Sequence, residues 1–247
     1  MAIFGSGSNP ILTERNLQQA GSQSSEGTMT VNGTIGKMAF LLLLVVASAV
    51  YAWGAPARNQ NILPLFYGGL IAGIVIFLII MFKKEWAQYL APAYALAEGF
   101  TLGIISVIFN NLYDGIIAQA VGLTFGVFTA MLILYRTGII RVTERFKSIV
   151  FTATAGIAIF YLLAWVLGMF NIRIPFLHEG STIGIIFSLV VVTVAALRLT
   201  IDFDFVYQGV QQRAPKHVEW LASFGMLVTL VWLYLEILNL LAKLNRR

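Results

Sequence analysis

The sequence predicts an all-α integral membrane protein, a seven-transmembrane-helix bundle, on the basis of composition and of apolar runs. The chain has 247 residues, of which 59% are hydrophobic and 11% are charged, whereas a soluble domain carries roughly 25% charged residues. So few charges cannot cover a water-soluble globule. Apolar stretches of about 20 residues, the length that crosses a bilayer as a helix, recur along the chain without the short alternating pattern of a membrane β-barrel.

The predicted helices occupy seven stretches of the sequence. They are 38–54, 62–82, 87–109, 115–135, 149–170, 182–203 and 220–242. Residues 1–36 are instead rich in Gly, Ser, Gln and Asn, and segments of this kind cannot bury enough apolar surface to fold. The sequence therefore predicts a disordered tail over 1–36 and a seven-helix transmembrane domain over 37–247.

Basic residues are distributed unequally between the two ends of the predicted helices. The side that holds the tail has ten: Arg15, Lys37, Lys83, Lys84, Arg136, Arg141, Arg145, Lys147, Arg213 and Lys216. The opposite side has five: Arg58, Arg173, Lys243, Arg246 and Arg247. Because Lys and Arg accumulate in cytoplasmic loops, we expect a cytoplasmic N-terminus. The same loops explain the net charge of +5, so we expect the lipid bilayer and no nucleic acid as partner. The C-terminal cluster opposes this orientation and would fit better if the last helix did not cross completely.

Three glycine pairs have the spacing that lets helix backbones approach closely. They are Gly69 with Gly73, Gly99 with Gly103, and Gly122 with Gly126. In a seven-helix protein this spacing favours packing within the bundle over dimerisation. Pro92 predicts a kink that would free carbonyl groups near Glu98.

Charged residues inside apolar stretches are the main functional signal. They are Glu98, Arg198, Asp202, Asp204 and Glu236. Each costs roughly 2.5–3.5 kcal/mol at the bilayer centre, so such residues face the bundle interior or a wet cavity. Arg198 and Asp202 are spaced to pair on one helix face, and an ion pair that merely permits insertion is an equally good interpretation. Asp204 lies near the end of its helix, where it can reach interfacial water.

Glu98 and Glu236 have no opposite charge one helical turn away, so their partners must come from other helices, water or a bound cation. We favour a functional role for both. Carboxylate oxygens, with no cysteine and two loop histidines, suit protons or hard cations such as Ca²⁺ better than zinc or copper. We therefore expect no resident cofactor, Ca²⁺ as a permeant ion with Asp204 or Glu236 as its candidate ligands, and no enzyme, because no nucleophile and base occur together.

Several segments carry a family resemblance. Residues 199–209 read Leu-Thr-Ile-Asp-Phe-Asp-Phe-Val-Tyr-Gln-Gly, Glu219-Trp220 follow, and residues 231–241 read Val-Trp-Leu-Tyr-Leu-Glu-Ile-Leu-Asn-Leu-Leu. Supporting segments are 8–12, 97–103, 125–128 and 136–145. In this order and spacing they resemble the Bax inhibitor-1 family, also called the transmembrane Bax inhibitor motif family, and its bacterial YccA-like branch.

The resemblance implies a bundle in which the C-terminal helix is central and the other six surround it. It also implies a pH-sensitive Ca²⁺ leak, in which one carboxylate late in the sixth helix and one in the seventh share a proton. Carried over to this chain, these are Asp204, with Asp202 as neighbour, and Glu236. Two carboxylates that share a proton hold together at low pH and repel each other when both ionise. Bacterial relatives are inner-membrane proteins linked to a membrane-bound AAA protease, which they restrain.

The spacing of the two acids opposes a direct contact between Asp204 and Glu236. A helical hairpin that turns near residue 212 would set Asp204 opposite residue 220, and Glu236 would lie ~24 Å farther along. The same hairpin would bring Glu219 near Asp204 and leave Glu236 to meet Glu98 or another partner in the outer half.

Two functions are compatible with these residues. The first is a pH-sensitive cation leak channel, with Ca²⁺ as the expected ion, gated by buried carboxylates. The alternative is a regulatory membrane protein that transports nothing and presents its polar tail to a membrane-bound AAA protease. A proton-coupled transporter ranks last, because it predicts inverted repeats that the sequence does not show.

Overall fold

The computed structural model of the protein describes residues 27–58, 60–170 and 181–246, and these residues form a bundle of long helices. The helices are α1 (Val31–Trp53), α2 (Ile62–Phe82), α3 (Ala87–Leu112), α4 (Ile116–Arg136), α5 (Glu144–Met169), α6 (Thr182–Gln211) and α7 (Val218–Asn245). Short 3₁₀ turns at Pro56–Arg58 and Lys84–Trp86 precede α2 and α3. All seven helices are long and apolar enough to cross a membrane, which confirms the predicted all-α integral membrane bundle.

The first helix begins earlier than the sequence predicts. Thr30 caps α1, and its hydroxyl accepts a hydrogen bond from the Gly33 N–H at 3.0 Å. Met29 is buried, and its N–H donates to the carbonyl of Ala214 at 2.8 Å. The predicted tail boundary at residue 36 is therefore corrected: residues 31–36 are helical, residues 28–30 are packed on the α6–α7 turn, and residues 1–26 lie outside the described part of the chain.

The C-terminal helix α7 is the central helix of the bundle, as predicted. It packs against α1, α3, α4 and α6. Of an apolar stretch of 18 residues in this helix, 67% is buried inside the protein. Helix α5 is the opposite case, because it packs mainly on α6 and buries Val150 alone among its described residues. The other α5 side chains are half-buried or exposed.

Two contacts fix the antiparallel register of α6 and α7. The Thr229 hydroxyl lies 2.6 Å from the Asp202 carboxylate, and the Lys243 ammonium lies 2.7 Å from the Ser188 hydroxyl. Both contacts give the same register, in which Asp204 lies opposite residue 227. The chain therefore turns around Pro215, whereas the prediction placed the turn near residue 212. The separation of Asp204 and Glu236 along the helix axis is then ~14 Å, smaller than the predicted ~24 Å but still too large for a contact.

We refer to the end of the bundle that holds the α6–α7 turn and the start of α1 as the turn end, and to the opposite end as the far end. Helix α7 runs uninterrupted from the turn end to Asn245. Its length and apolar composition are sufficient to cross a membrane.

The three glycine pairs, although equally spaced, have different surroundings. A Cβ atom at Gly69 would lie 2.6 Å from the carbonyl oxygen of Ala97, and one at Gly103 would overlap the carbonyl of Ala49. At Gly122 and Gly126 a Cβ atom would meet nothing within 4 Å. Packing within the bundle is therefore confirmed for the pairs in α2 and α3, whereas the prediction is wrong for the pair in α4.

Substitution of Gly99 by alanine is expected to destabilise the protein by about 1–3 kcal/mol, the usual cost of overpacking. A Cβ atom there would overlap the Val45 carbonyl and the Ser48 hydroxyl of α1, and a backbone carbonyl cannot move away cheaply. The measurement is the free energy of unfolding in mixed micelles. Gly126→Ala is the matched control, and it should be neutral or slightly stabilising because alanine has the higher helix propensity; equal effects of the two changes would contradict the assignment.

Candidate functional site

Charged side chains are distributed along the whole α6–α7 hairpin. Asp202, Asp204, Glu219 and Glu236 are all buried, and Lys243 is 1% exposed. From the turn end to the far end the order is Glu219, Asp204, Asp202, Glu236 and Lys243. We call these five residues the hairpin ladder.

Asp202 joins the two helices of the hairpin. The Thr229 hydroxyl of α7 donates to Oδ2 of Asp202 at 2.6 Å, and Arg198 Nε lies 3.7 Å from Oδ1. The predicted pairing of Arg198 and Asp202 on one helix face is confirmed. The partner of Asp202 on α7 is thus the Thr229 hydroxyl, and not Glu236, the seventh-helix carboxylate that the resemblance implies.

Asp204 faces different neighbours, because residues two apart on a helix point ~200° away from each other. Lys147 Nζ of α5 lies 3.3 Å from Oδ2 of Asp204, and the Tyr135 hydroxyl of α4 donates to Oδ1 at 3.3 Å. Lys147 also pairs with Glu144 at 3.0 Å. Asp204 is thus held by two neighbouring helices and does not simply reach interfacial water.

Glu236 accepts hydrogen bonds on both carboxylate oxygens. The Tyr161 hydroxyl of α5 donates to Oε2 at 3.0 Å, and the Trp232 indole N–H donates to Oε1 at 3.1 Å. Lys243, two turns farther along the same helix face, interacts with it electrostatically. The predicted partner on another helix exists, but it is Tyr161 of α5 and neither Glu98 nor Asp204.

Lys243 is a functional candidate that the apolar pattern placed just beyond the end of the last predicted helix, in the C-terminal basic cluster. Its ammonium donates to the Ser188 hydroxyl at 2.7 Å and to the Gly184 carbonyl at 3.2 Å, both in the first turns of α6. It therefore does not belong among the loop charges used to predict the orientation. The seven-residue spacing from Glu236, which places both side chains on one helix face, is the signal that could have identified it.

Glu219 occupies the turn end and does not approach Asp204. Its fully buried carboxylate accepts from the Thr30 N–H at 2.8 Å and from the Thr30 hydroxyl at 3.1 Å, and it forms an ion pair with Lys37. The predicted proximity of Glu219 and Asp204 is wrong because the turn lies closer to Glu219 than expected. Glu219 instead caps the start of α1 and fastens it to α7.

Glu98 lies apart from the hairpin ladder, between α2 and α3. A Cβ atom at Gly73 of α2 would lie 3.1 Å from Oε2 of Glu98, so the glycine leaves room for the carboxylate. Tyr94, one turn earlier on α3, is its hydrogen-bond partner. Helix α3 continues through Pro92 to Leu112.

An apolar layer divides the hairpin ladder. Ala195, Leu199 and Leu233 are each fully buried. In the α6–α7 register Leu199 and Leu233 lie between the levels of Asp202 and Glu236, and Ala195 lies at the level of Glu236. Over the described residues, no three acidic or histidine side chains come together as a metal site, and Ca²⁺ requires 6–8 oxygen ligands. Asp204 and Glu236 are thus each a single carboxylate that accepts hydrogen bonds from neighbouring side chains, and neither belongs to such a cluster among the described residues.

Comparison with known proteins identifies the family. A family model described as Bax inhibitor 1 like matches residues 9–246. Neither the curated proteins nor the solved structures contain a match to this chain. The family match extends over all seven helices and over every residue of the hairpin ladder. The chain belongs to the Bax inhibitor 1 like family.

Proposed function

We propose that the protein is a cation leak pathway, with Ca²⁺ as the permeant ion, that is gated by ionisation of carboxylates in the hairpin ladder. The observation that carries the proposal is the burial of Asp202 and Glu236 at membrane depth, each hydrogen-bonded to hydroxyl or indole donors. Intramembrane ionisable residues of this kind mark ion and proton pathways. The proposal includes the orientation predicted from the loop charges, with the turn end on the cytoplasmic side of a bacterial inner membrane.

The apolar layer of Ala195, Leu199 and Leu233 supports assigning the described arrangement to a closed pathway. An ionised carboxylate in apolar surroundings is costly, so ionisation of Asp202 or Glu236 favours a rearrangement that admits water. Protonation removes that cost and favours the dry, closed arrangement. The leak should therefore rise as the pH rises.

The carboxylates of α6 and the middle of α7 differ in how close a cation lies to each of them. Asp204 has a direct ion pair with Lys147. Asp202 is 3.7 Å from Arg198, and Glu236 has Lys243 as a more distant cation. Of these three carboxylates, Glu236 has the most distant cation to balance its negative charge, and we assign it the principal gating role.

Helix α5 is the element that we expect the carboxylates to control. It is tied to the hairpin by Lys147 with Asp204 near the turn end and by Tyr161 with Glu236 deeper in the membrane. Its other side chains bury little surface against the bundle. A change in either polar contact therefore shifts α5 with little loss of apolar packing.

The test is Ca²⁺ flux from liposomes that contain the purified protein, measured between pH 5 and pH 8. Glu236→Gln and Asp202→Asn keep a polar group of similar shape but cannot ionise. Each is expected to lower the leak at pH 8 by about tenfold, which corresponds to about 1.4 kcal/mol in the barrier, and to flatten the pH dependence. Asp204→Asn should raise the leak, because it removes the ion pair that ties Lys147 of α5 to the hairpin.

Glu144→Gln is the matched control, since the Glu144 side chain is 88% exposed and pairs with the same Lys147. Its leak and pH profile should equal those of the unmodified protein. If the leak and its pH dependence survive both Glu236→Gln and Asp202→Asn, the hairpin ladder is not the gate.

The alternative function, restraint of a membrane-bound AAA protease, relies on the polar tail. Residues 1–26 of that tail lie outside the described part of the chain. The leak is the function that we propose, because Asp202 and Glu236 are buried inside the bundle.

A further inference from the structure

A long groove separates α1 from α4 on the membrane-facing side of the bundle. It contains two neighbouring cavities, of about 420 Å³ toward the turn end and about 280 Å³ toward the far end. Both are lined by Leu42, Phe125 and Leu230, so they meet near the middle of the membrane. The floor of the groove is the central helix α7.

The cavity at the turn end has the dimensions of one membrane leaflet. Along α1 its lining extends from Val31 to Leu42, a rise of ~16 Å, and half of the hydrocarbon core is ~15 Å thick. Its volume is within the range of small-molecule sites, roughly 300–1,000 Å³. Ile35 is 58% exposed and Ala39 is also exposed, so the cavity opens sideways to the bilayer.

One end of this apolar cavity carries a positive charge. Arg136, the last residue of α4, lines the cavity and is exposed. The acidic side chains of the described residues form their ion pairs with other cations, Lys37, Lys147 and Arg198. Tyr207 lines the same end, where aromatic rings of membrane proteins sit at the level of the lipid headgroups.

We propose that this cavity binds a single anionic phospholipid, with one acyl chain in the groove and the phosphate on the guanidinium of Arg136. The cavity is apolar, is as long as one leaflet, and has a cation at its headgroup end, and a phospholipid has the complementary shape and charge. Arginine suits the phosphate because its guanidinium presents several hydrogen-bond donors in a geometry that fits phosphate oxygens. The inference does not depend on the proposed leak. It does place the lipid next to Tyr135, which lines the cavity and donates to Asp204.

The test is native mass spectrometry of the full chain after extraction from vesicles of phosphatidylglycerol or of phosphatidylcholine. We expect one retained phosphatidylglycerol molecule per chain and weaker retention of phosphatidylcholine. Arg136→Gln should lower retention of phosphatidylglycerol at least about fivefold, which removes about 1 kcal/mol of binding free energy, and should abolish the preference for it. Arg141→Gln, an exposed cation of the following loop outside the cavity lining, should change neither.

A second pair of variants tests the acyl chain. Ala39→Phe fills the cavity from an exposed position, so it should reduce retention of both lipids without disturbing the core. Ala118→Phe, at an exposed position of α4 outside both cavities, should have no effect. Equal retention by the unmodified protein, Arg136→Gln and Ala39→Phe would overturn the proposal. A dimer that Ala39→Phe disrupts, with no lipid retained, would also overturn it and assign the groove to a second copy of the chain.

Discussion

Replacement of Lys37 by methionine is expected to destabilise the protein by about 3–5 kcal/mol, the cost of leaving a buried charge without its partner. Glu219 has a side chain that is 0% exposed, and Lys37 is its ion-pair partner with 17% of its own side chain exposed. The two hydrogen bonds from Thr30 to the same carboxylate cannot neutralise the charge. The measurement is the free energy of unfolding in mixed micelles at neutral pH.

A double-mutant cycle separates loss of the ion pair from loss of packing. Glu219→Gln restores neutrality, so the double variant with Lys37→Met should be more stable than Lys37→Met alone. Glu144→Gln removes an exposed carboxylate that also pairs with a lysine, and exposed pairs contribute roughly 0.2–1 kcal/mol. If Lys37→Met costs no more than Glu144→Gln, Glu219 does not depend on Lys37.

Replacement of Thr229 by aspartate is expected to give the largest change in the pH dependence of the leak. The Thr229 hydroxyl lies 2.6 Å from the Asp202 carboxylate, so the new carboxyl group would stand beside Asp202 on the facing helix. Two carboxylates at this distance share one proton at low pH and repel each other when both are ionised. Arg198, at 3.7 Å from Asp202, offsets the repulsion in part.

The expected result is a leak that rises by about tenfold more between pH 5 and pH 8 than in the unmodified protein, which corresponds to about 1.4 kcal/mol of repulsion acting on the gate. The measurement is Ca²⁺ flux from liposomes across that pH range. Thr229→Asn is the control, because asparagine has the same size but cannot ionise. Identical pH profiles of the two variants would show that the contact between Asp202 and residue 229 does not influence the gate.

The seven helices could be predicted, because long apolar runs cross membranes whatever their tertiary contacts. The central position of α7 could be predicted from the family resemblance. The Arg198 and Asp202 pair could also be predicted, since it depends only on spacing within one helix. The register of the α6–α7 hairpin could not be predicted. It depends on where the chain turns, and an error of three or four residues at the turn shifts the facing residue by twice as many positions.

Lys243 and the glycines of α4 show a second limit of sequence reasoning. Hydropathy assigned Lys243 to the end of a helix because a lysine interrupts the apolar run there, whereas its partners lie on α6, far away in sequence. Gly122 and Gly126 have the same spacing as Gly99 and Gly103, yet no neighbouring helix approaches them. Spacing defines which residues share a face, and only the assembled bundle defines what that face meets.

The cap that Glu219 places on α1 has a consequence for the order in which the protein is made. Thr30 and Glu219 are 189 residues apart in the chain, so α1 is synthesised and inserted long before its carboxylate partner leaves the ribosome. Until then, Lys37 and the first N–H groups of α1 lack the bonds that they have in the finished bundle. This contact therefore forms only after translation has reached α7, and chains that end before residue 219 keep a helix start whose polar groups lack these partners.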